Sequence, residues 1–489
     1  FPERDSLVFN DIRLTHSDYK KKCDRLAAGL VQSGMTTGDR LAVVAHNSDE
    51  FLILYGAAAK IGAIVVPVNW RFKPDEVEYV LNDCTPRLVF AGPEYQETVA
   101  AAARKVVSIE KCYTMSGGKV SEGFLAFDNL YLEEKVIDVP DIPADSGFVI
   151  IHTASVDGRP RGALLSQRNI ISANLATIAQ FVLGSEDCHA CMLPLFHIAG
   201  LSYAMAVMHA GGKNVILDRF DPRLVLQLVE SEKVTIFMQF PPMLKMMIEE
   251  HEERSSDLSS LRTAGGIDQP DNLTAFQAIA PNVRFSIGFG QTEALGVTTG
   301  FLDERPGSAG KAGLLSRVVL FDDYDREVPV GDPGEICVRS PTIFLGYWGL
   351  KEDTAYTFRN GWHHTGDIGR FDEQGYLWYV KRKAEKELIK PGGENVYPAE
   401  VEKVILDHKA VAAVCVIGVQ DPQWGEAVKA ICVLKPEESL GAEELIEFVA
   451  SKIARYKKPK HVVFIEALPR NDEGEIDRDQ VKADHGGSL

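Results

Sequence analysis

The chain lacks the features that define three large classes of protein. Its eight cysteines are scattered over 489 residues, which is too sparse for a disulfide-stapled fold. No apolar run reaches the roughly 18 residues that a membrane-spanning helix requires. Basic residues number 52 against 70 acidic ones, and the net charge of −18 opposes general binding to nucleic acid. We therefore expect no nucleic-acid partner and no transmembrane segment, and a reducing cytoplasm is the simplest compartment.

One cysteine pair has the spacing of a metal site. Cys188 and Cys191 form a CxxC string with His189 between them. A structural zinc ion takes four ligands, and no second ligand pair is evident near this one in the sequence. We therefore interpret these cysteines as structural thiols.

Length and composition predict a globular protein of two or more domains. A chain of 489 residues is too long to fold around one ordinary hydrophobic core. Its composition, with 45% hydrophobic and 25% charged residues, is ordinary for a globular protein. Up to about residue 237, helical patterns alternate with short apolar runs, which implies βαβ units and mainly parallel sheets. The predicted helices are 15–32, 51–61, 74–81 and 169–181, and the predicted strands are 41–45, 64–68, 88–90, 148–151 and 234–237.

The pattern changes twice toward the C-terminus. Between residues 307 and 380, short apolar runs lie between Gly, Pro and Asp turns, which predicts a small β-rich subdomain. A charged stretch at 383–387 is interpreted as a linker. Beyond it, Pro398 begins a helix at the position where proline costs nothing. A helix at 442–453 and strands at 411–419, 427–434 and 462–465 complete a compact α+β unit.

Three motifs occur in one order along the chain. They are Phe289-Gly290-Gln291-Thr292-Glu293, Gly361-Trp362-His363-His364-Thr365-Gly366-Asp367, and Gly392-Gly393-Glu394-Asn395-Val396-Tyr397-Pro398. With these motifs the chain resembles the AMP-forming acyl-CoA synthetases of the adenylate-forming superfamily, and the resemblance covers nearly its whole length. It implies a large α/β N-terminal domain (1–382), with parallel-sheet subdomains plus a small β-rich subdomain, and a small mobile α+β C-terminal domain (383–489).

The resemblance implies a reaction in two steps. ATP and a carboxylic acid give acyl-AMP and pyrophosphate, and the thiol of coenzyme A then displaces AMP. The C-terminal domain rotates between the steps, and ATP, Mg²⁺ and CoA are the expected cofactors. The expected acid is a fatty or other apolar one, because Met238, Phe240 and Leu295 are apolar candidates for the acyl pocket. An oligomer is compatible with the sequence.

The same resemblance implies a nucleotide site. Glu293 would hold Mg²⁺, a hard cation that prefers oxygen ligands, and Thr292 would donate to a phosphate oxygen. Asp367 would accept from the ribose hydroxyls, and Arg382 would also reach the ribose. An ordinary turn or surface role is the alternative for each of these residues. Further nucleotide contacts are expected at Phe289, Gly290, Gln291, and at Gly265 and Gly266, where bare backbone would face adenine.

Two other stretches match the acyl and CoA sites of the family. His197 resembles the histidine beside the acyl pocket, although a lone histidine is often a satisfied core residue. Gly392 and Gly393 resemble the loop that lines the pantetheine tunnel. The basic run 455–460 could meet a CoA phosphate, but we favour a solvated face.

The phosphate-binding loop departs from the family pattern. Thr153, Gly158 and Gly162 are retained, and Arg161 keeps the positive charge of the usual lysine. The central glycine and two hydroxyl donors are missing. Asp157 places a negative charge where phosphates are expected, which costs energy unless the loop moves or a cation screens it.

The C-terminal motif contains the more serious departure. In the string 468–475, Glu475 replaces the lysine that bridges carboxylate and α-phosphate in the family. Relative to the family pattern, two extra residues lie between Arg382 and Gly392. Counting back from Gly392 places the hinge at Lys386-Glu387. Besides a CoA ligase with impaired adenylation, two hypotheses stay open: an enzyme that loads a carrier protein, and a non-catalytic paralogue that binds nucleotide or acyl-CoA.

Overall fold

The computed structural model describes residues 1–115, 117–132, 141–153, 160–382, 388–471 and 475–486. Local signals of the sequence explain where its elements begin and end. The side chain of Thr15 accepts a hydrogen bond from the Asp18 N–H, and the Asp18 carboxylate accepts one from the Thr15 N–H, which starts the first helix. Gly34 follows that helix with a φ of +88°. The predicted linker and hinge at 383–387 lie outside the described residues.

The predicted helices are confirmed, with ends that shift by a few residues. In chain order the α-helices of the described residues are α1 (His16–Gln32), α2 (Asp49–Ile61), α3 (Pro74–Cys84), α4 (Gln96–Ala103), α5 (Gln167–Phe181), α6 (Ile198–His209), α7 (Pro222–Glu232), α8 (Met243–Glu253), α9 (Pro270–Ile279), α10 (Lys351–Thr357), α11 (Pro398–Leu406), α12 (Ala442–Lys452) and α13 (Arg478–His485). Among them, no helix combines the length and the hydropathy that crossing a bilayer demands.

The strands follow the short apolar runs. They are β1 (Asp5–Phe9), β2 (Ile12–Thr15), β3 (Arg40–Val44), β4 (Ile64–Pro67), β5 (Leu88–Ala91), β6 (Lys111–Thr114), β7 (Phe124–Ala126), β8 (Gly147–Thr153), β9 (Arg161–Ser166), β10 (Cys188–Cys191), β11 (Lys213–Ile216), β12 (Ile236–Gln239), β13 (Thr263–Gly266), β14 (Arg284–Gln291), β15 (Ala294–Phe301), β16 (Lys311–Ala312), β17 (Arg317–Phe321), β18 (Gly334–Arg339), β19 (Gly346–Tyr347), β20 (His363–Phe371), β21 (Leu377–Arg382), β22 (Val411–Asp421), β23 (Gly425–Leu434) and β24 (His461–Phe464).

Two large sheets form the N-terminal domain. One has the order β19-β9-β8-β4-β3-β5-β6-β7, and the other β16-β15-β14-β13-β12-β10-β11-β1-β2. The central pairs, such as β3 with β4 and β5, are parallel, whereas the pairs β8–β9 and β14–β15 are antiparallel. Leu41 and Val43 pack into one core cluster, and Ala42 and Val44 pack into another. Both faces of β3 are therefore covered, which explains its unbroken apolar sequence.

The smaller sheets follow in chain order. β17-β18-β20-β21 form an antiparallel sheet, which confirms the predicted β-rich subdomain. β22-β23-β24 form the sheet of the small C-terminal α+β domain. Val401 on α11, Val414 on β22 and Val449 on α12 pack together in the core of that domain.

Burial decides two interpretations of polar sequence patterns. All eight cysteines are buried and none forms a disulfide, and Cys188 and Cys191 occupy the two ends of β10. Their burial supports the interpretation as structural thiols. The solvated-face interpretation of the basic run is wrong for Lys457, which is 2% exposed and forms ion pairs with Glu76 and Glu400. The sequence does not reveal this, because Glu76 lies on a helix of the other domain.

Candidate active site

A cavity of about 900 Å³ lies where the two large sheets and the C-terminal domain meet. Its wall includes the end of β8, the turn between β14 and β15, and the loop before α11. Ten of the predicted site residues line it: Thr153, Arg161, His197, Gly266, Phe289, Gly290, Gln291, Thr292, Glu293 and Gly393. The structure therefore brings predicted residues from segments that are far apart in the chain to one cavity.

Glu293 lies in the turn between β14 and β15, but it is not a solvated turn residue. Its residue exposure is 9%, and its Oε1 accepts hydrogen bonds from Thr153 Oγ1 at 3.0 Å and from the Tyr347 hydroxyl at 3.0 Å. A buried carboxylate of this kind must be satisfied by donors or by a cation. Carboxylate and hydroxyl oxygens are the ligands that suit Mg²⁺, so the chemistry of these residues fits that ion.

Tyr347 is a site residue that sequence reasoning missed. It lies on β19, which pairs with β9, and its hydroxyl faces both Glu293 and Arg161. Burial, with the nearby charge of Glu293, raises the pKa of Tyr347, so its hydroxyl stays a neutral donor. No motif marks this position, since a tyrosine near the end of a short strand is an ordinary core residue.

Arg161 approaches the same carboxylate from β9. Its guanidinium carbon lies 4.1 Å from the ring centroid of Tyr347, and its Nη1 lies 2.9 Å from Asp353 Oδ2. Thr153 and Arg161 are register partners at the ends of β8 and β9. The predicted phosphate loop between them therefore starts and ends beside Glu293. Gly158 and Asp157 of that loop lie outside the described residues.

Asp367 lies behind this wall on β20 and is fully buried. Its Oδ2 accepts from Gln291 Nε2 at 2.5 Å, and its Oδ1 accepts from the Tyr379 hydroxyl at 3.1 Å. Gln291 lines the cavity and Asp367 does not. Arg382 is the register partner of Asp367 on β21. The two predicted ribose residues are thus neighbours in the sheet register, and Asp367 contacts Gln291 of the cavity wall.

Two glycines lie at the end of β13, and one of them brings bare backbone to the cavity. Gly266 has a φ of +118°, and a Cβ there would lie 1.8 Å from the carbonyl oxygen of Gln239. A Cβ on Gly265 would lie 1.9 Å from the sulfur of Met238. Neither position has room for a side chain, although only Gly266 reaches the cavity wall.

His197 caps the N-terminus of α6 and contributes to the cavity wall. Its Nδ1 accepts a hydrogen bond from the Ala199 N–H at 3.2 Å, so the neutral ring carries its proton on Nε2. Burial, and then the charges of Lys390 and Arg71, lowers the pKa of His197 to about 4. The ring is therefore a neutral hydrogen-bond donor at physiological pH. Lys390 also lines the cavity and was not predicted.

The loop with Gly392 and Gly393 connects the C-terminal domain to this cavity. Their φ values are +58° and +81°, and a Cβ on Gly393 would lie 2.8 Å from Cγ of Phe240 in the N-terminal domain. Gly393 lines the cavity, while Gly392 lies behind it. The next residue, Glu394, forms an ion pair of 2.5 Å with Arg71 across the domain boundary.

Glu475 lies elsewhere. It is exposed, its N–H donates to Asn471 Oδ1 at 2.9 Å, and it does not contribute to the cavity wall. The residues just before it, 472–474, lie outside the described residues. In this domain orientation the C-terminal domain presents Gly393, and not Glu475, to the site.

The acyl-pocket candidates Met238, Phe240 and Leu295 all line the cavity. Side chains that sequence reasoning missed accompany them. Phe181, Ser202, Tyr203, Ser286 and Phe301 also line it, and the Phe181 ring centroid lies 5.9 Å from that of Tyr203 and 6.1 Å from that of Phe301. They come from α5, α6, β14 and β15, and only the tertiary fold brings them together.

Comparison with known proteins identifies the family to which this fold belongs. The family model described as AMP-binding enzyme matches residues 1–348, and the model described as AMP-binding enzyme C-terminal domain matches residues 400–475. The chain belongs to the AMP-binding enzyme family, in agreement with the resemblance to AMP-forming acid–CoA ligases.

Known relatives are similar over nearly their whole length. A feruloyl-CoA synthase from Amycolatopsis sp is 34% identical, with 97% of this chain and 94% of that protein covered. The long-chain-fatty-acid–CoA ligase FadD13 of Mycobacterium tuberculosis is 33% identical, with 95% and 92% covered. A solved double mutant of o-succinylbenzoate CoA synthetase (MenE) from Bacillus subtilis, bound with its product analogue, is 26% identical with a TM-score of 0.86, covering 100% of this chain and 97% of that one.

The protonation state of His197 gives a testable prediction. Selective ¹³C labelling of histidine should show no titration of the His197 resonance from pH 8 down to pH 5, because its pKa is lowered to about 4. The resonance is assigned by its loss in His197→Gln. In urea the same histidine should titrate near its ordinary value of about 6.5. The unfolded chain binds this proton more tightly than the folded protein does. Titration of His197 therefore makes the free energy of unfolding rise as the pH increases from about 4 to about 6.5. A midpoint above pH 6 in the folded protein would contradict the assignment.

Proposed function

We propose that the protein activates a carboxylic acid as acyl-AMP and then transfers the acyl group to coenzyme A. The observation that carries this proposal is the wall around Glu293. A buried carboxylate, the hydroxyls of Thr153 and Tyr347, and Arg161 converge on one side of the cavity, and the Gly393 loop closes another side. The residues around Glu293 suit Mg²⁺ and phosphates. The Gly393 loop leaves bare backbone where the narrow thiol-bearing arm of CoA can pass.

In the first step an oxygen of the acid attacks the α-phosphorus of ATP, and the bond to pyrophosphate breaks. Mg²⁺ held at Glu293 would neutralise phosphate charge. Thr292 offers a hydroxyl to a phosphate oxygen, and Arg161 supplies a cation. His197 donates from Nε2 toward the acid and carries no charge that would hold the carboxylate too strongly.

In the second step the CoA sulfur attacks the acyl carbon, and AMP leaves with the electrons of the broken C–O bond. Gly393 lies against Phe240 on the cavity wall, which is compatible with a channel for the pantetheine arm. The likeness to the structure of MenE with its bound product analogue supports this domain orientation as the one for the second step.

The acid is proposed to have an aromatic or similarly bulky apolar body. The names of the relatives include both a feruloyl-CoA synthase and a long-chain-fatty-acid ligase, so family membership alone does not choose between these acids. Phe181, Tyr203 and Phe301 offer aromatic surfaces, and Ser202 and Ser286 offer hydroxyls. A hydrogen-bonding group on the acid would have partners in these hydroxyls, whereas a simple fatty chain would leave them unused.

A nucleotide- or acyl-CoA-binding protein without turnover is the second candidate, and Glu475 and Asp157 favour it. A carrier protein as acceptor is the third, and CoA-dependent release of AMP across a panel of aromatic and fatty acids separates it from CoA ligation. Binding of Mg²⁺-ATP without pyrophosphate release for any acid would favour the non-catalytic protein.

Glu293→Gln tests the metal role at the centre of the proposal. The substitution removes one charge and nearly keeps the shape. We expect pyrophosphate release to fall by about 10²-fold or more, and Mg²⁺-dependent ATP binding in calorimetry to weaken. Glu304→Gln is the matched control, because Glu304 is an exposed residue at the cavity edge that pairs with Arg284. If both variants bind Mg²⁺-ATP like the parent, Glu293 does not carry the metal.

Gly393→Ala tests the second step. A methyl group there would contact the Phe240 ring at 2.8–3.0 Å and push the loop out of the cavity wall. We expect the reaction of preformed acyl-AMP with CoA to slow by about tenfold or more, and pyrophosphate release to change little. Gly375→Ala is the control, because Gly375 has a similar φ of +78°, a Cβ there would meet open space, and the residue does not line the cavity. Equal slowing in both variants would indicate backbone strain, not a blocked channel.

Glu475→Lys tests the impaired-adenylation hypothesis. A cation aimed at the reacting phosphate is worth roughly 3–4 kcal/mol, or about 10²–10³ in rate, which a glutamate cannot supply. We expect the parent to react faster from acyl-AMP plus CoA than from acid plus ATP. The substitution should raise pyrophosphate release and leave the CoA step nearly unchanged, since residue 475 is away from the cavity in this orientation. Rapid adenylation by the parent, with no gain in the variant, argues against this role.

A further inference from the structure

Lys457 is a buried cation at the boundary between the two domains. Its side chain is 3% exposed, and its Nζ lies 2.7 Å from Glu76 Oε1 and 2.5 Å from Glu400 Oε1. The same Nζ lies 4.8 Å from the ring centroid of Phe72. A lysine is almost never buried this completely unless it is paired. The burial of Lys457 therefore depends on the particular contacts that surround its ammonium group.

The two carboxylates belong to different domains. Glu400 is on α11 and Lys457 follows α12, so both move with the C-terminal domain. Glu76 is on α3 of the N-terminal domain, and 381 residues separate it from Lys457. The Lys457–Glu400 pair lies within one domain, so a rotation of that domain would leave it intact. The Lys457–Glu76 pair and the contact with Phe72 cross the domain boundary, so the same rotation would separate them.

The ion pair retains its charge despite burial. Burial by itself would lower the pKa of Lys457, but Glu400 and then Glu76 raise it above the ordinary value. Lys457 therefore stays protonated over the physiological range. Losing Glu76 leaves Lys457 with Glu400, so the C-terminal domain keeps a neutral pair. Only the attachment between the domains is weakened.

This contact lies close to the catalytic cavity. A small space between the domains is lined by Asn69 and Phe72 on one side, by Glu394 and Lys457 on the other, and by His197 at its end. Glu394 directly follows Gly393, and its ion pair with Arg71 lies in the same interface. A fixed position of Lys457 therefore helps to fix the position of the Gly393 loop.

We propose that Glu76 is a positioning residue for the CoA-dependent step: its buried ion pair with Lys457 holds the C-terminal domain in the orientation that presents Gly393 to the cavity. The inference rests on the proposed function for its kinetic consequence, but not for its structural one. An interaction made in one of two orientations shifts the equilibrium between them by the free energy of that interaction. Glu76 touches neither the cavity nor its wall, so it acts through the domain orientation alone.

Glu76→Gln is the sharpest variant. Glu76 also accepts from the Lys73 N–H at the start of α3, and a glutamine oxygen can keep that hydrogen bond. Glu78→Gln is the matched control, because Glu78 lies on the same helix and pairs with Lys105 within the N-terminal domain at 2.7 Å. Glu76→Asp keeps the charge on a shorter side chain and tests for partial rescue.

The first readout compares the two half-reactions. In Glu76→Gln we expect the reaction of acyl-AMP with CoA to slow by about tenfold or more, which is less than the full cost of breaking a buried pair because Lys457 keeps its partner Glu400. Pyrophosphate release and the KM values for acid and ATP should not worsen. Glu78→Gln should change neither step. Equal slowing of both steps in Glu76→Gln would show a general structural role and overturn the proposal.

The second readout does not depend on activity. Spin labels at Val107→Cys, which is fully exposed, and at exposed Ser439→Cys report the distance between the domains, because the eight native cysteines are buried. With CoA present, the parent should populate the distance of this structure, and Glu76→Gln should lose most of that population while Glu78→Gln keeps it. An unchanged distance distribution in Glu76→Gln overturns the proposal. If instead the distance shifts but no acid reacts, the ion pair is supported and the CoA ligase assignment fails.

Discussion

The site depends on one physical constraint, which is the burial of the Glu293 carboxylate. A buried charge requires donors, and Thr153 and Tyr347 supply them from two separate stretches of chain. These residues belong to the eight-stranded sheet, whereas Glu293 lies in the β14–β15 turn of the nine-stranded sheet. The Phe344 N–H also donates to the Glu293 carbonyl at 2.9 Å. The contacts that satisfy this carboxylate therefore also join the two sheets at the point where the cavity opens.

Much of the fold follows from local sequence signals. Strands such as β3 and β4 are short apolar runs because both faces are covered, and α1 begins at a capping box that is readable in the sequence. The motifs also predicted residues that share one cavity, including His197, Glu293 and Gly393. Their chemical roles remain predictions, since geometry alone does not establish a ligand.

The sequence does not reveal contacts between residues that lie far apart in the chain. Tyr347 reaches Glu293 through the pairing of β19 with β9, and Lys457 reaches Glu76 across the domain boundary. From the sequence pattern alone, the basic run 455–460 is interpreted as a solvated face, because its lysines cannot be distinguished from one another. Burial at Lys457 is decided by a carboxylate 381 residues away. Glu475, which motif position assigns to the reacting centre, is exposed and does not contribute to the cavity wall in the orientation described here.

The two unusual charges, at Glu475 and Lys457, belong to opposite sides of one conformational balance. In the orientation described here, a buried cation and two carboxylates hold the small domain with Gly393 at the cavity. An orientation that brought residue 475 to the site would have to break the Lys457–Glu76 pair and would place a carboxylate near phosphates. Both effects disfavour that orientation electrostatically, the first through a lost attraction and the second through a new repulsion. The charge pattern of this chain thus favours the arrangement that we propose for the CoA step over an arrangement with residue 475 at the site.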